Sequence, residues 1–128
     1  MRVDHIALYC IDLEGMKSFF MEYFGCTPNE LYHNSCTGLK TYILSFPDGG
    51  AKLEIMARPE VTKPVTDIFH GGFIHLSIVL GSKEAVEEKT EELKSDGYEC
   101  ISGPRTTGDG YYESCIVGPE GILLEITV

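Results

Sequence analysis

Hydrophobic residues along this chain follow two periodicities, and the two alternate in the same order twice. In "VDHIALYC" (3–10), Ile6, Leu8 and Cys10 take every second position, while Val3, His5, Ala7 and Tyr9 take the others. A two-residue period predicts a half-buried strand, because successive side chains leave opposite faces of the pleat. "DLEGMKSFFMEYFG" (12–25) follows, with Met16, Phe19, Phe20, Tyr23 and Phe24 recurring at helical spacing. Asp12 supplies an N-cap and Gly25 a terminating glycine, so the stretch predicts an amphipathic helix.

The second half repeats the order. "FIHLSIVL" (73–80) sets an aliphatic stripe of Ile74, Leu76, Ile78 and Leu80 against Phe73, His75, Ser77 and Val79. "SKEAVEEKTEELKSDG" (82–97) predicts a more exposed helix with a thinner stripe of Ala85, Val86 and Leu93. Each half ends on a sharp turn and a strand: "FPDGGAKLEI" (46–55) against "VGPEGILLEI" (117–126). Proline presets its own backbone angle and glycine supplies positive φ, which makes both tripeptides turn signals. In these strands Leu53, Ile55 and Ala57 oppose Lys52, Glu54 and Met56, and Leu124, Ile126 and Val128 oppose Leu123, Glu125 and Thr127.

Each half therefore reads as strand, helix, then three strands. A unit of this size buries its own sheet face poorly, so the two are expected to pack together. The predicted class is α+β: paired βαβββ modules forming a curled mixed sheet with the helices outside. Residues 1–128 are expected to form a single domain, with module one at about 1–57, a Pro-rich and Gly-rich connector at about 58–71, and module two at about 72–128.

The same four positions carry the candidate chemistry. The aliphatic stripes are expected to face the helices, which leaves His5, Glu54, His75 and Glu125 on the opposite faces of their strands. A carboxylate in such a setting costs several kcal/mol if dry and unpaired. Spacing repeats as well: 49 residues separate His5 from Glu54, and 50 separate His75 from Glu125. Two imidazoles and two carboxylates on one concave face form a divalent-metal site of N2O2 type, and a cation's charge offsets the cost of both carboxylates. Taken singly, each residue is more often a hydrogen-bonded histidine or a salt-bridged glutamate; the coincidence of face, order and spacing carries the metal reading. No cysteine or third histidine stands at matching positions in the two halves, which argues against a closed structural zinc site.

Composition narrows the partners. A net charge of -10 and a pI near 4.7 exclude nucleic acid and anionic membranes, whose surfaces repel such a chain. The five cysteines, at 10, 26, 36, 100 and 115, show no CxxC spacing and are expected to be free, buried thiols in a reducing compartment. "MRVDHIALYC" reads as a strand rather than a signal peptide, and no apolar run approaches membrane-spanning length, so a cytoplasmic protein is expected.

With these residues in place, the chain resembles the vicinal-oxygen-chelate superfamily, whose members include lactoylglutathione lyase (glyoxalase I), extradiol dioxygenases, methylmalonyl-CoA epimerase, fosfomycin-resistance proteins and bleomycin-binding proteins. "DHIALYCIDLEGMKSFFMEYFG" and "GPEGILLEI" carry the resemblance, which spans essentially the whole chain. His5, Glu54, His75 and Glu125 match the His-Glu-His-Glu ligand pattern of glyoxalase I; other branches show two histidines with one glutamate, a glutamine at the second position, or no ligand set. The resemblance implies a small-molecule substrate, one divalent metal per site (nickel or cobalt first, zinc or manganese next) and a homodimer, in which some relatives build each site from both subunits. It also implies a metal-dependent lyase or isomerase acting by proton transfer on a thiol adduct of a 2-oxoaldehyde or a related α-hydroxycarbonyl compound. Glu125 would take a proton from carbon and Glu54 would return it to the neighbouring carbon, with His5 and His75 as fixed neutral ligands. The alternatives are an epimerase of the same superfamily and a non-catalytic, resistance-type binding protein.

Two positions depart from the glyoxalase pattern. Bacterial relatives commonly carry arginine four residues after the first ligand and asparagine four after the second, to hold glutathione; here these are Tyr9 and Arg58. Losing a guanidinium that pairs a carboxylate loosens the tie to glutathione. Tyr9, Arg58 and Tyr111 are the expected substrate contacts. Tyr111 lies in "GPRTTGDGYYES" (103–114), which suits either a loop over a cavity or an ordinary hairpin loop. Arg105 reads as a solvated arginine, His33 and His70 as structural or surface residues, and Tyr42 and Phe46 as pocket lining or packing.

Overall fold

The computed structural model describes residues 1–64 and 66–128. The chain divides into two compact units, Met1–Pro64 and Val65–Val128. The boundary falls inside the expected connector, whose described residues between 58 and 71 carry neither helix nor strand. Val65 of that connector lies outside the described residues.

In the first unit, β1 (His5–Tyr9) leads into α1 (Leu13–Phe24), followed by β2 (Thr27–Pro28), β3 (Tyr32–His33), β4 (Lys40–Ser45) and β5 (Lys52–Ala57). The sheet order is β1-β5-β4-β2, with β3 also paired to β4; β1 runs parallel to β5 and the other pairs are antiparallel. Where one strand was expected between α1 and β4, two short pairings occur. Pro28 has no N–H to extend the ladder, and Asn29 instead bonds Ile43 through both its own N–H and its side-chain oxygen.

Local chemistry sets the helix ends. Asp12 Oδ1 accepts from Gly15 N at 2.9 Å, a cap of the kind that contributes about 1 kcal/mol. Gly25 closes α1 in the left-handed region at φ 63°, where a Cβ would be strained. Phe20, Met16, Leu44, Leu53 and Ile55 form the core between helix and sheet, with the Phe20 ring edge-on to Phe46. Tyr42 is buried on the same side, and its hydroxyl donates to Glu14 Oε1 at 2.8 Å. Tyr42 and Phe46 are therefore packing residues.

The second unit runs β6 (His75–Val79), α2 (Lys83–Ser95), β7 (Glu99–Thr106), β8 (Tyr112–Val117), a 3-10 turn at Pro119–Gly121 and β9 (Leu123–Thr127). Its sheet order is β6-β9-β8-β7, with β6 parallel to β9. This is the expected βαβββ order. Val86 and Leu93 are fully buried as the stripe predicts, but Thr90 takes the third place. Thr90 shares a 2.6 Å hydrogen bond with Ser114 on β8 and donates to Val86 O, so a residue that reads as polar is satisfied inside the core.

The segment 103–114 is mostly strand. Residues 103–106 extend β7 and 112–114 open β8, which leaves a five-residue hairpin loop at 107–111. The loop is thus shorter than the glycine-rich composition suggests, because β-ladder pairing outweighed the turn signals of the stretch. Of the cysteines, Cys10 and Cys26 are buried, Cys100 and Cys115 partly so, and Cys36 is exposed, so the expectation of buried thiols fails there; none of the five is joined in a disulfide among the described residues.

Candidate metal centre

Each unit builds half of the expected quartet by the same device. In the β1–β5 ladder Glu54 stands opposite Ala7, and in the β6–β9 ladder Glu125 stands opposite Ser77. Each histidine thus precedes its glutamate's partner by two residues, the repeat that keeps side chains on one face of a strand. The offset brings His5 Nε2 to 3.7 Å from Glu54 Oε2, and His75 Nε2 to 3.5 Å from Glu125 Oε2. Both pairs lie on the face away from the buried aliphatics Leu53, Ile55, Leu124 and Ile126. The glutamate side chains are 20% exposed and the histidines 46% and 39%, open enough to meet a ligand.

What surrounds the two pairs differs. His5 Nδ1 lies 3.1 Å from Asp4 Oδ2. The hydrogen bond to the His5 ring, and then the charge of Lys52, hold the Asp4 carboxyl below its ordinary range. An ionised Asp4 accepts from Nδ1–H, which turns Nε2 towards Glu54. In the second unit, Ser77 Oγ donates to Glu125 Oε1 at 2.7 Å. Glu113 and Cys115 also neighbour Glu125. Burial first, and then the charges of Glu125 and Asp109, push the Glu113 carboxyl up. Cys115 is pushed up mainly by burial, and then by Glu125.

Among the described residues no group of three or more His, Cys, Asp or Glu side chains stands together as a metal site. Each unit carries one such pair of donor atoms. Their separations nevertheless suit a shared ion, because two ligands at 2.0–2.1 Å and a tetrahedral angle stand about 3.4 Å apart. The donor set, one imidazole and one carboxylate per unit, also suits a first-row divalent cation.

The family described as the Glyoxalase/Bleomycin resistance protein/Dioxygenase superfamily matches the chain over residues 2–126. The chain belongs to that superfamily. Its members include many enzymes and typically use a divalent metal. None of the curated proteins matches the chain in a sequence comparison. Solved structures share the superfamily fold at low identity. A glyoxylase/bleomycin resistance protein/dioxygenase domain from Frankia sp. EAN1pec aligns with a TM-score of 0.83 at 16% identity, covering 100% of this chain and 97% of its own. A glyoxalase family protein from Bacillus cereus gives 0.80 at 17%, covering 99% and 93%. The fosfomycin resistance protein FosX from Listeria monocytogenes, complexed with Mn(II) and sulfate, gives 0.74 at 17%, covering 98% and 90%. Within the described residues of this superfamily member, no helix is long and apolar enough to cross a membrane.

The expected substrate contacts separate into two places. Tyr9 and Arg58 come together in the first unit, where Arg58 is held bidentate by Glu60 at 2.8 and 3.0 Å. Hydrogen bonds to Glu60 first, and then to Tyr9, push the Arg58 pKa up. Its charge is thus already matched by Glu60. Tyr111 belongs to the second unit's hairpin loop and is 58% exposed. Arg105 is exposed and donates to Ser102 Oγ, and His33 and His70 are also exposed. Asp4, Ser77 and Glu113 were given no role by the sequence. Ser77 shares the parity of His75, the one signal that marked it; Glu113 was hidden in a segment whose glycines read as loop.

Proposed function

We propose that this protein is a divalent-metal-dependent lyase or isomerase of the glyoxalase I type, moving a proton between adjacent carbons of a thiol adduct of a 2-oxoaldehyde or a related α-hydroxycarbonyl compound. The observation that carries the reading is the repeated pair, an imidazole Nε2 facing a carboxylate Oε2 at 3.7 Å in one unit and 3.5 Å in the other. His5, Glu54, His75 and Glu125 would hold the cation, which when bound supplies Lewis acidity to two adjacent substrate oxygens. Glu125 takes a proton from carbon, Glu54 delivers one of its own to the neighbouring carbon, and exchange with water resets the two carboxyls. The bond to Asp4 keeps the His5 ring oriented with Nε2 towards Glu54. Tyr9 and Tyr111 contact the rest of the substrate. With Arg58 already matched by Glu60, the carrier thiol needs no carboxylate at that position.

The functional assembly in this reading is a homodimer. Phe69, Phe73 and Val79, at 88%, 84% and 67% exposed, support it, since apolar side chains this open mark contact surfaces. Sedimentation velocity at micromolar protein is expected to give twice the chain mass; a sharp monomer boundary would remove this part of the proposal.

The central test loads the full chain separately with nickel, cobalt, zinc and manganese, manganese being the ion in the Listeria neighbour's structure. Each form is then offered methylglyoxal with several thiols. Turnover with at least one cation, lost in His75→Ala, is the expected result. Cation binding without turnover, alongside tight binding of a metabolite, would replace the enzyme by a small-molecule-binding protein.

A further inference from the structure

The two glutamates are made unequal by their sheet neighbours. Across the ladder Glu54 is flanked by Ala7 on β1 and Ile43 on β4, whereas Glu125 is flanked by Ser77 on β6 and Cys115 on β8. Ala7 and Ser77 hold the same place in their modules, two residues beyond the histidine. Of these two equivalent ladder places, the one beside Glu125 carries a hydroxyl, and it is used: Ser77 Oγ donates to Glu125 Oε1 at 2.7 Å.

We propose that Ser77 is a positioning residue for Glu125, tying Oε1 to β6 so that Oε2 stays turned towards His75 Nε2 and the cation. The inference rests on the metal-dependent reading above. A glutamate has three side-chain torsions, and the last of them is broad. Free rotation there exchanges the two oxygens. A charge-assisted hydrogen bond from a short side chain on a paired strand removes that freedom before any ligand arrives, so less ordering is left to oppose binding. Partners of this kind, one shell beyond the cation, typically change metal affinity by 10–100-fold. Glu54 receives no such bond from its ladder neighbours Ala7 and Ile43.

Calorimetric titration of the full-length protein with cobalt(II) tests the assignment. Ser77→Ala is expected to weaken cobalt affinity about 10–100-fold and to shift the visible d–d absorption of the cobalt form. Ser77→Thr, which keeps the hydroxyl, is expected to restore affinity and spectrum. The fold should survive, because Ser77 is exposed and alanine already fills the equivalent place in the first module; the melting profile checks this. Wild-type affinity and spectrum in Ser77→Ala overturn the inference while leaving the metal reading intact, and so does a threonine variant that behaves as alanine does. A wild-type protein that takes up no cobalt, nickel, zinc or manganese overturns both.

Discussion

Glu125→Gln is expected to lower turnover of the metal-loaded protein by about 10²–10⁴-fold, the range for loss of a positioned general base. The amide keeps the shape of the side chain and can still accept from Ser77 Oγ, so the β6–β9 ladder and the residue's position in it should survive. What disappears is a negative charge facing His75 Nε2 at 3.5 Å and an oxygen able to take a proton from carbon. Glu54→Gln tests the other half of the relay. It should also be slow, because delivering a proton to the neighbouring carbon is a separate step in the same sequence. The comparison is made on kcat with each variant's cation content measured, so that lost cation and lost base are told apart. A Glu125→Gln protein that keeps its cation and turns over within threefold of wild type would take Glu125 out of the proton path.

The second large effect is on stability. Gly103 lies in β7 at φ 81°, where the β7–β8 register slips between Ser102 and Arg105. A Cβ there would stand 2.3 Å from Glu113 O and 2.9 Å from Ser114 Cα. Both obstacles are backbone of the neighbouring strand, so no side-chain rotation relieves the contact. Left-handed strain and forced strand separation together put the cost of Gly103→Ala at about 3 kcal/mol or more, and the melting temperature should fall by on the order of 10 °C. The displaced strand carries Glu113 and Cys115 towards Glu125, so cation affinity should fall as well. A Gly103→Ala protein that melts like wild type would mean the hairpin accommodates a methyl group where the geometry allows none.

Much of the fold was legible because its signals are local and repeated. Met16, Phe19, Phe20, Tyr23 and Phe24 form a helical stripe, and all five are buried in α1. Alternation in "VDHIALYC" and "KLEIM" survives in the burial of β1 and β5, where the aliphatics face inward and His5 and Glu54 outward. The misreadings have a common cause. Segment 103–114 holds four glycines and prolines, and composition alone assigns such a stretch to loop; cross-strand pairing, which depends on residues far along the chain, made most of it strand. Thr90 was passed over for a related reason, since its burial depends on Ser114 being there to share its hydroxyl.

Sequence by itself determined the two-module order, the faces of the strands and the four residues that carry the proposed chemistry, because parity along a strand and spacing along a helix are properties of the covalent chain. Tertiary structure alone decided the ladder offsets, and with them the 3.7 and 3.5 Å approaches of imidazole to carboxylate in each unit. It also decided which neighbours each pair received: Asp4 at His5, and Ser77, Glu113 and Cys115 around Glu125. The physical reason is that hydrogen bonds and charge interactions act over a few ångströms of space, and only strand pairing brings residues such as 77, 113 and 125 within that range.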